Sequence, residues 1–129
     1  MRAVIQRVSK ASVEIENKIN GQIQIGLLIL LGIEDSDTQQ DIDWLSRKII
    51  QMRIFSDADG KMNLSLQEVS GNILLISQFT LFASTKKGNR PGFTRSAKPE
   101  FAIPLYEQFI KTLEIQLDKK IQTGIFGAD

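Results

Sequence analysis

The sequence predicts an α+β fold of mostly antiparallel strands and two amphipathic helices. Three observations carry that expectation. Apolar and polar residues alternate with period two through much of residues 2–25, two longer runs are apolar on both faces, and two segments switch to the 3.6-residue period of a helix.

In chain order, Val4, Gln6 and Val8 alternate with Ala3, Ile5 and Arg7, and Ser12–Glu16 alternates as a half-exposed strand does. Asn20-Gly21 tolerates positive φ and reads as a hairpin turn before Gln22–Ile25. Gly26–Gly32 is apolar throughout and reads as a central strand covered on both faces. Ser36–Met52 turns helical: Ser36 and Gln39 have capping-box spacing. Asp37, Asp41 and Asp43 favour its N-terminal dipole, and Ile42, Leu45, Ile49 and Met52 share a face. Arg53–Phe55 is a short strand, Asp57–Gly60 a turn, and Asn72–Leu81 a second long apolar strand. Residues 83–98 form a polar loop. Pro99 opens a helix with Ala102, Leu105, Phe109, Leu113 and Leu117 on one stripe, and Gln122–Phe126 is extended again.

Length and composition bound the function. A chain of 129 residues fits one domain, 1–129. Lys and Arg number 16 against 15 Asp and Glu, so the net charge of +1 names no partner. The absence of Cys removes disulfides, thiolate nucleophiles and Cys-ligated metal. The absence of His removes Ser-His-Asp machinery, the usual zinc sites and the commonest general base. No metal and no cofactor is expected. The longest apolar run, Leu27–Leu31 with Ile33 beyond, falls far short of the roughly 20 residues that span a bilayer. The first twelve residues carry charges inside any hydrophobic stretch, unlike a signal peptide, so a cytoplasmic protein without a membrane partner is expected.

Two segments are candidates for chemistry. The loop Thr85–Lys98 carries Lys86, Lys87, Arg90, Arg95 and Lys98; no acid occurs between Glu68 and Glu100, whereas Glu34–Asp43 holds five. Such a loop either meets phosphates or is simply a solvated face. Ser77-Gln78-Phe79-Thr80-Leu81 ends an otherwise aliphatic strand, where buried polar groups need partners. These residues either build a site or bond to the ladder edge. Weaker signals read as structure. Asp57-x-Asp59-Gly60 lacks the rest of a calcium loop, Lys86-Lys87-Gly88 lacks the glycines of a P-loop, and Trp44 is a packing residue. Arg7 interrupts an apolar strand and is either an edge charge or a site-shaping group.

Read together, these segments resemble the D-aminoacyl-tRNA deacylase family, also called D-tyrosyl-tRNA deacylases, from one end of the chain to the other. The markers are Ile5-Gln6-Arg7-Val8 with Ala11-Ser12-Val13, Gly26-Leu27-Leu28 with Leu31-Gly32, and Arg53–Asp57 with Gly60–Asn63. The most specific is Ser77-Gln78-Phe79-Thr80-Leu81, followed by Arg90-Pro91, Thr123-Gly124, Phe126 and Ala128-Asp129. The resemblance implies a homodimer of barrel-like α+β subunits with sites at the subunit interface. It implies hydrolysis of the ester joining a D-amino acid, or glycine, to the 3′-terminal adenosine of tRNA. Ser77, Gln78, Phe79 and Thr80 would form the catalytic segment, Arg7 and Phe126 the substrate pocket, and Lys86, Lys87, Arg90 and Arg95 the tRNA contact. D-aminoacyl-tRNA is the implied partner; DNA is not. One departure stands out. Family members continue with further strand and a cis Gly-Pro that reaches into the partner's site to reject L-amino acids, whereas Pro91, Pro99 and Pro104 are the only prolines here. The expectation is a truncated or processed chain, with an inactive tRNA-binding homodimer as the alternative.

Two mechanisms suit a site without His or Cys. Backbone N–H groups near Phe79 and Thr80 can hold the oxyanion while the tRNA's vicinal 2′-OH assists water. Alternatively Thr80 Oγ is a nucleophile, which leaves a base to be found. The first is favoured. A non-enzymatic RNA-binding module is the rival, but Phe93 is the only aromatic of the basic loop to stack a base.

Overall fold

Gly26–Gly32 does become a central strand. The computed structural model describes residues 1–129, with strands β1 Arg2–Val8, β2 Ala11–Ile15, β3 Lys18–Ile23, β4 Gly26–Gly32, β5 Phe55–Ser56, β6 Met62–Leu64, β7 Asn72–Ser77 and β8 Gln122–Thr123. Helix α1 spans Gln39–Gln51, α2 spans Pro99–Leu117, and a 3-10 turn occupies Phe79–Phe82. The α+β class and both amphipathic helices are present. The main sheet is ordered β1-β4-β7-β8; β1 runs antiparallel to β4, but β4–β7 and β7–β8 are parallel. The main sheet is therefore mixed, where antiparallel pairing was expected to dominate. Parallel neighbours need a crossover. The segment through α1 and the β5–β6 hairpin supplies one, and α2 supplies the other. The sheet ends at β1 and β8, and no barrel closes.

The β2–β3 hairpin corrects a turn assignment. Its turn is Glu16-Asn17, with φ of 51° and 62°, as a tight primed turn requires. Asn20-Gly21 lies inside β3 instead. Gly21 is there for close approach: a Cβ would meet the Thr123 carbonyl oxygen at 2.9 Å. The α1 start also moves. Thr38, not Ser36, is the N-cap, and its N–H donates to the Asp41 carboxylate at 2.8 Å. Asp37 is buried rather than in the first helical turn; its carboxylate accepts the Glu34 N–H at 2.8 Å and the Met1 amino group. The second apolar strand stops at Ser77, and the remainder of the expected strand coils into the 3-10 turn.

The core lies between the inner sheet face and the helices. Leu27, Ile29 and Leu31 of β4 and Ile73 and Leu75 of β7 meet Ile42 and Ile49 of α1 and Ala102, Tyr106, Phe109 and Leu113 of α2. Each fully buried Leu, Ile or Phe contributes about 1.5–3 kcal/mol. The outer face is less covered than expected. Leu74 is buried beside β3, but Leu28, Leu30 and Ile76 are only half-buried and Val4 is 51% exposed.

Candidate active site

The site forms where β7 runs out. Gln78 N–H donates to Leu31 O at 2.8 Å, the last rung against β4, and the chain then coils so that Leu81 N–H reaches Gln78 O at 3.3 Å. That bond closes the first turn, which leaves the N–H groups of Phe79 and Thr80 ahead of it as the orphan donors of the turn. Gly32 lets the turn lie against β4: a Cβ there would stand 3.1 Å from Gln78 O, Leu81 Cβ and Phe82 Cε2.

Beside this turn opens a cavity of about 510 Å³. Ser77, Gln78 and Phe79 form one wall, Leu31, Ile33, Ala97 and Ala102 the apolar side, and Phe126–Asp129 the other wall. The side chains lining it include no Lys or Arg, and Asp129 is the one ionisable residue among them. Phe126 is held edge-on by Tyr106 at 5.8 Å between ring centroids. The buried Tyr106 hydroxyl donates to Leu75 O at 3.1 Å, and burial pushes its pKa up to about 12. At the mouth, Phe79 is 57% exposed and meets Phe93 edge-to-face at 5.3 Å.

Phe93 belongs to the basic loop, so the two candidate segments are neighbours. Ser84 and Gly92 exchange backbone hydrogen bonds at 2.8 and 2.9 Å, which closes the loop's base and presents Lys86, Lys87 and Arg90 to solvent. Arg95 is engaged differently. It pairs with Glu34 at 3.0 Å and lies 5.4 Å from the Phe82 ring centroid. Arg2 approaches the same ring at 4.6 Å and donates to Leu81 O at 2.8 Å. Ser96 Oγ donates to Phe79 O at 2.6 Å.

Of the residues singled out from sequence, Ser77, Gln78, Phe79 and Phe126 share the cavity wall. Thr80 is adjacent but not in the wall, and its hydroxyl accepts a hydrogen bond from Gln78 Nε2. Arg7 is elsewhere in this chain. It pairs with Leu27 at the far end of β1, donates to Ile54 O at 2.6 Å and borders a separate hollow of about 280 Å³ with Ser9 and Phe55. Arg2, Ser96 and Tyr106 were not singled out, and Gly32 reads from sequence only as a strand residue and a marker of the resemblance. Tyr106 was legible, four residues after Ala102 and three before Phe109 on the buried stripe. Arg2 and Ser96 carry no local signal, because their partners lie 79 and 17 residues away.

The chain is similar to known proteins along its length. Residues 4–129 match the family model described as D-Tyr-tRNA(Tyr) deacylase. Proteins named D-aminoacyl-tRNA deacylase from Flavobacterium johnsoniae and Cytophaga hutchinsonii are each 64% identical over 129 residues, covering 100% of this chain and 86% of each relative. The solved structure titled c-Myc DNA Unwinding Element Binding Protein superposes with a TM-score of 0.92 at 37% identity, over 100% of this chain and 87% of that one. A second, titled as a probable eukaryotic D-amino acid tRNA deacylase, gives 0.84 at 16% identity, over 98% of this chain and 89% of that one, and shares the fold. With a family match over nearly its whole length and these relatives, the chain belongs to the D-Tyr-tRNA(Tyr) deacylase family.

Proposed function

We propose that this protein hydrolyses the ester of D-aminoacyl-tRNA, releasing tRNA and the free D-amino acid, by main-chain oxyanion binding with help from the tRNA's own 2′-OH. Family membership supports the reaction. The observation that carries the mechanism is the pair of orphan N–H groups at Phe79 and Thr80, beside a cavity whose neighbouring side chains offer no Lys, His or Cys. Water adds to the ester carbonyl carbon, the carbonyl electron pair moves to oxygen, and the two N–H groups stabilise that charge; one strong donor of this kind is worth about 3–4 kcal/mol. The tetrahedral intermediate then expels the terminal 3′ oxygen, which takes the proton lost by the water. The vicinal 2′-OH orients that water and relays the proton.

Ser77 and Gln78 shape the aminoacyl subsite with Phe126, and Lys86, Lys87 and Arg90 hold the tRNA backbone. Glycyl-tRNA fits the same pocket, since glycine has no side chain for the walls to reject. The protein acts in the cytoplasm as a homodimer. The half-covered outer face of Val4, Leu28, Leu30 and Ile76 meets a second copy and completes a barrel-like core.

The test is single-turnover release of D-tyrosine from D-Tyr-tRNA, compared with the same tRNA ending in 2′-deoxyadenosine. Fast release from the first and a loss of at least about a hundredfold with the second is expected. Equal rates would remove the 2′-OH from the mechanism. Tight binding of single-stranded nucleic acid without turnover would make the protein a binding module; one structural relative carries the name c-Myc DNA Unwinding Element Binding Protein.

A further inference from the structure

The Phe79–Thr80 peptide group carries two functional ends. Its N–H, on Thr80, is one of the two orphan donors, and its C=O, on Phe79, accepts the Ser96 hydroxyl at 2.6 Å. A peptide group is planar, so its C=O and N–H point in opposite, coupled directions. Holding the oxygen therefore aims the N–H. A hydrogen bond accepted at the oxygen also polarises the group and makes the N–H a stronger donor.

We propose that Ser96 is a positioning residue: its hydroxyl grips the Phe79 carbonyl and thereby aims and strengthens the Thr80 N–H that receives the oxyanion. The inference deepens the reaction proposed above and rests on it. Ser96 is well placed for the task because its own backbone is tied down. It forms an isolated antiparallel bridge with Glu34, its N–H donates to Phe93 O at 3.1 Å, and the next residue's N–H donates to Ile33 O at 2.9 Å. The hydroxyl is thus anchored to the end of β4 rather than floating on the basic loop. The partner peptide, Gln78–Phe79, is aimed by different means, since Gln78 O accepts Leu81 N–H within the turn at 3.3 Å. Ser96 thus adds to the bonds of the turn a support for the Thr80 donor that is reached across 17 residues.

The experiment compares wild type, Ser96→Ala and Ser96→Thr by amide hydrogen exchange and by single-turnover kinetics on D-Tyr-tRNA. In Ser96→Ala, exchange at Leu81, whose N–H closes the turn on Gln78 O, should rise by at least about tenfold while β7 stays protected. kcat should fall by about tenfold to a hundredfold with KM unchanged, the signature of an interaction made only in the transition state. Ser96→Thr keeps the hydroxyl and should restore both. Unaltered exchange at Leu81, or an unaltered kcat in an active enzyme, overturns the proposal. So does a kcat loss that Ser96→Thr fails to rescue although it restores exchange. If wild type shows no turnover while exchange responds as stated, the peptide grip stands and the deacylase reading is the part that fails.

Discussion

Thr80 is the residue on which the two mechanisms part. Its hydroxyl is engaged by Gln78 Nε2, so its contribution is assigned to its backbone. Thr80→Ala should keep deacylation within about tenfold of wild type, whereas loss of a true nucleophile costs on the order of a millionfold. Rapid-quench kinetics and intact mass under substrate decide this, and a trapped acyl-Thr80 adduct would falsify the main-chain mechanism. Tyr106 makes a second prediction. Its phenol is raised to about 12 by burial, above the 10.0 of an exposed one. The folded state therefore holds the proton that the unfolded state releases, and stability present below pH 10 is lost as pH rises toward 12. Tyr106→Phe should flatten that alkaline decline in urea titrations. It should also lower stability at neutral pH by about 1 kcal/mol, because the hydrogen bond to Leu75 O is lost.

At the scale of elements, the basic loop and the strand junctions separate function from architecture. Lys86, Lys87 and Arg90 are exposed on a loop closed at Ser84 and Gly92. Replacing all three by Gln should weaken tRNA binding and flatten the plot of log affinity against log salt by about 2. Arg95→Gln should change that slope little, because its guanidinium is already committed to Glu34 and the Phe82 ring. Filter binding across a salt series tests both, and an equal slope change for Arg95 would return it to the tRNA contact. Gly26 stands where β4 meets β7. An added Cβ would lie 1.9 Å from the Asn72 carbonyl oxygen, so Gly26→Ala should cost about 3 kcal/mol in denaturant titrations. The elements themselves were largely legible, since period and caps are local signals. The errors were local as well. Asn20-Gly21 had turn chemistry, yet it was drawn into β3 because Gly21 is needed against Thr123, and Glu16-Asn17 supplied the positive φ instead.

For the whole molecule, the outer sheet face is the feature a lone chain leaves least explained. Val4, Leu28, Leu30 and Ile76 offer apolar surface that neither helix covers, and a second copy is the proposed occupant. Leu30→Asp should shift sedimentation velocity from dimer to monomer. A monomeric wild type at tens of micromolar would remove the homodimer from the proposal. The expected pocket role of Arg7 belongs to the same scale, because in one chain its guanidinium bonds Ile54 O at the opposite end of the sheet from the cavity.

The sequence by itself determined the α+β class, the two buried helical stripes and the segment that closes β7 with polar residues. Each of these is written in spacing along the chain, which local periodicity and turn chemistry can read. Tertiary structure alone decided that β4 and β7 are parallel neighbours, that the polar segment coils rather than extends, and that Ser96 and Arg2 grip the carbonyls of that coil. Those contacts join residues 17 and 79 positions apart, and a backbone oxygen presents the same chemistry at every residue. No pattern in the chain marks which oxygen a distant side chain will reach until the sheet has brought the two together.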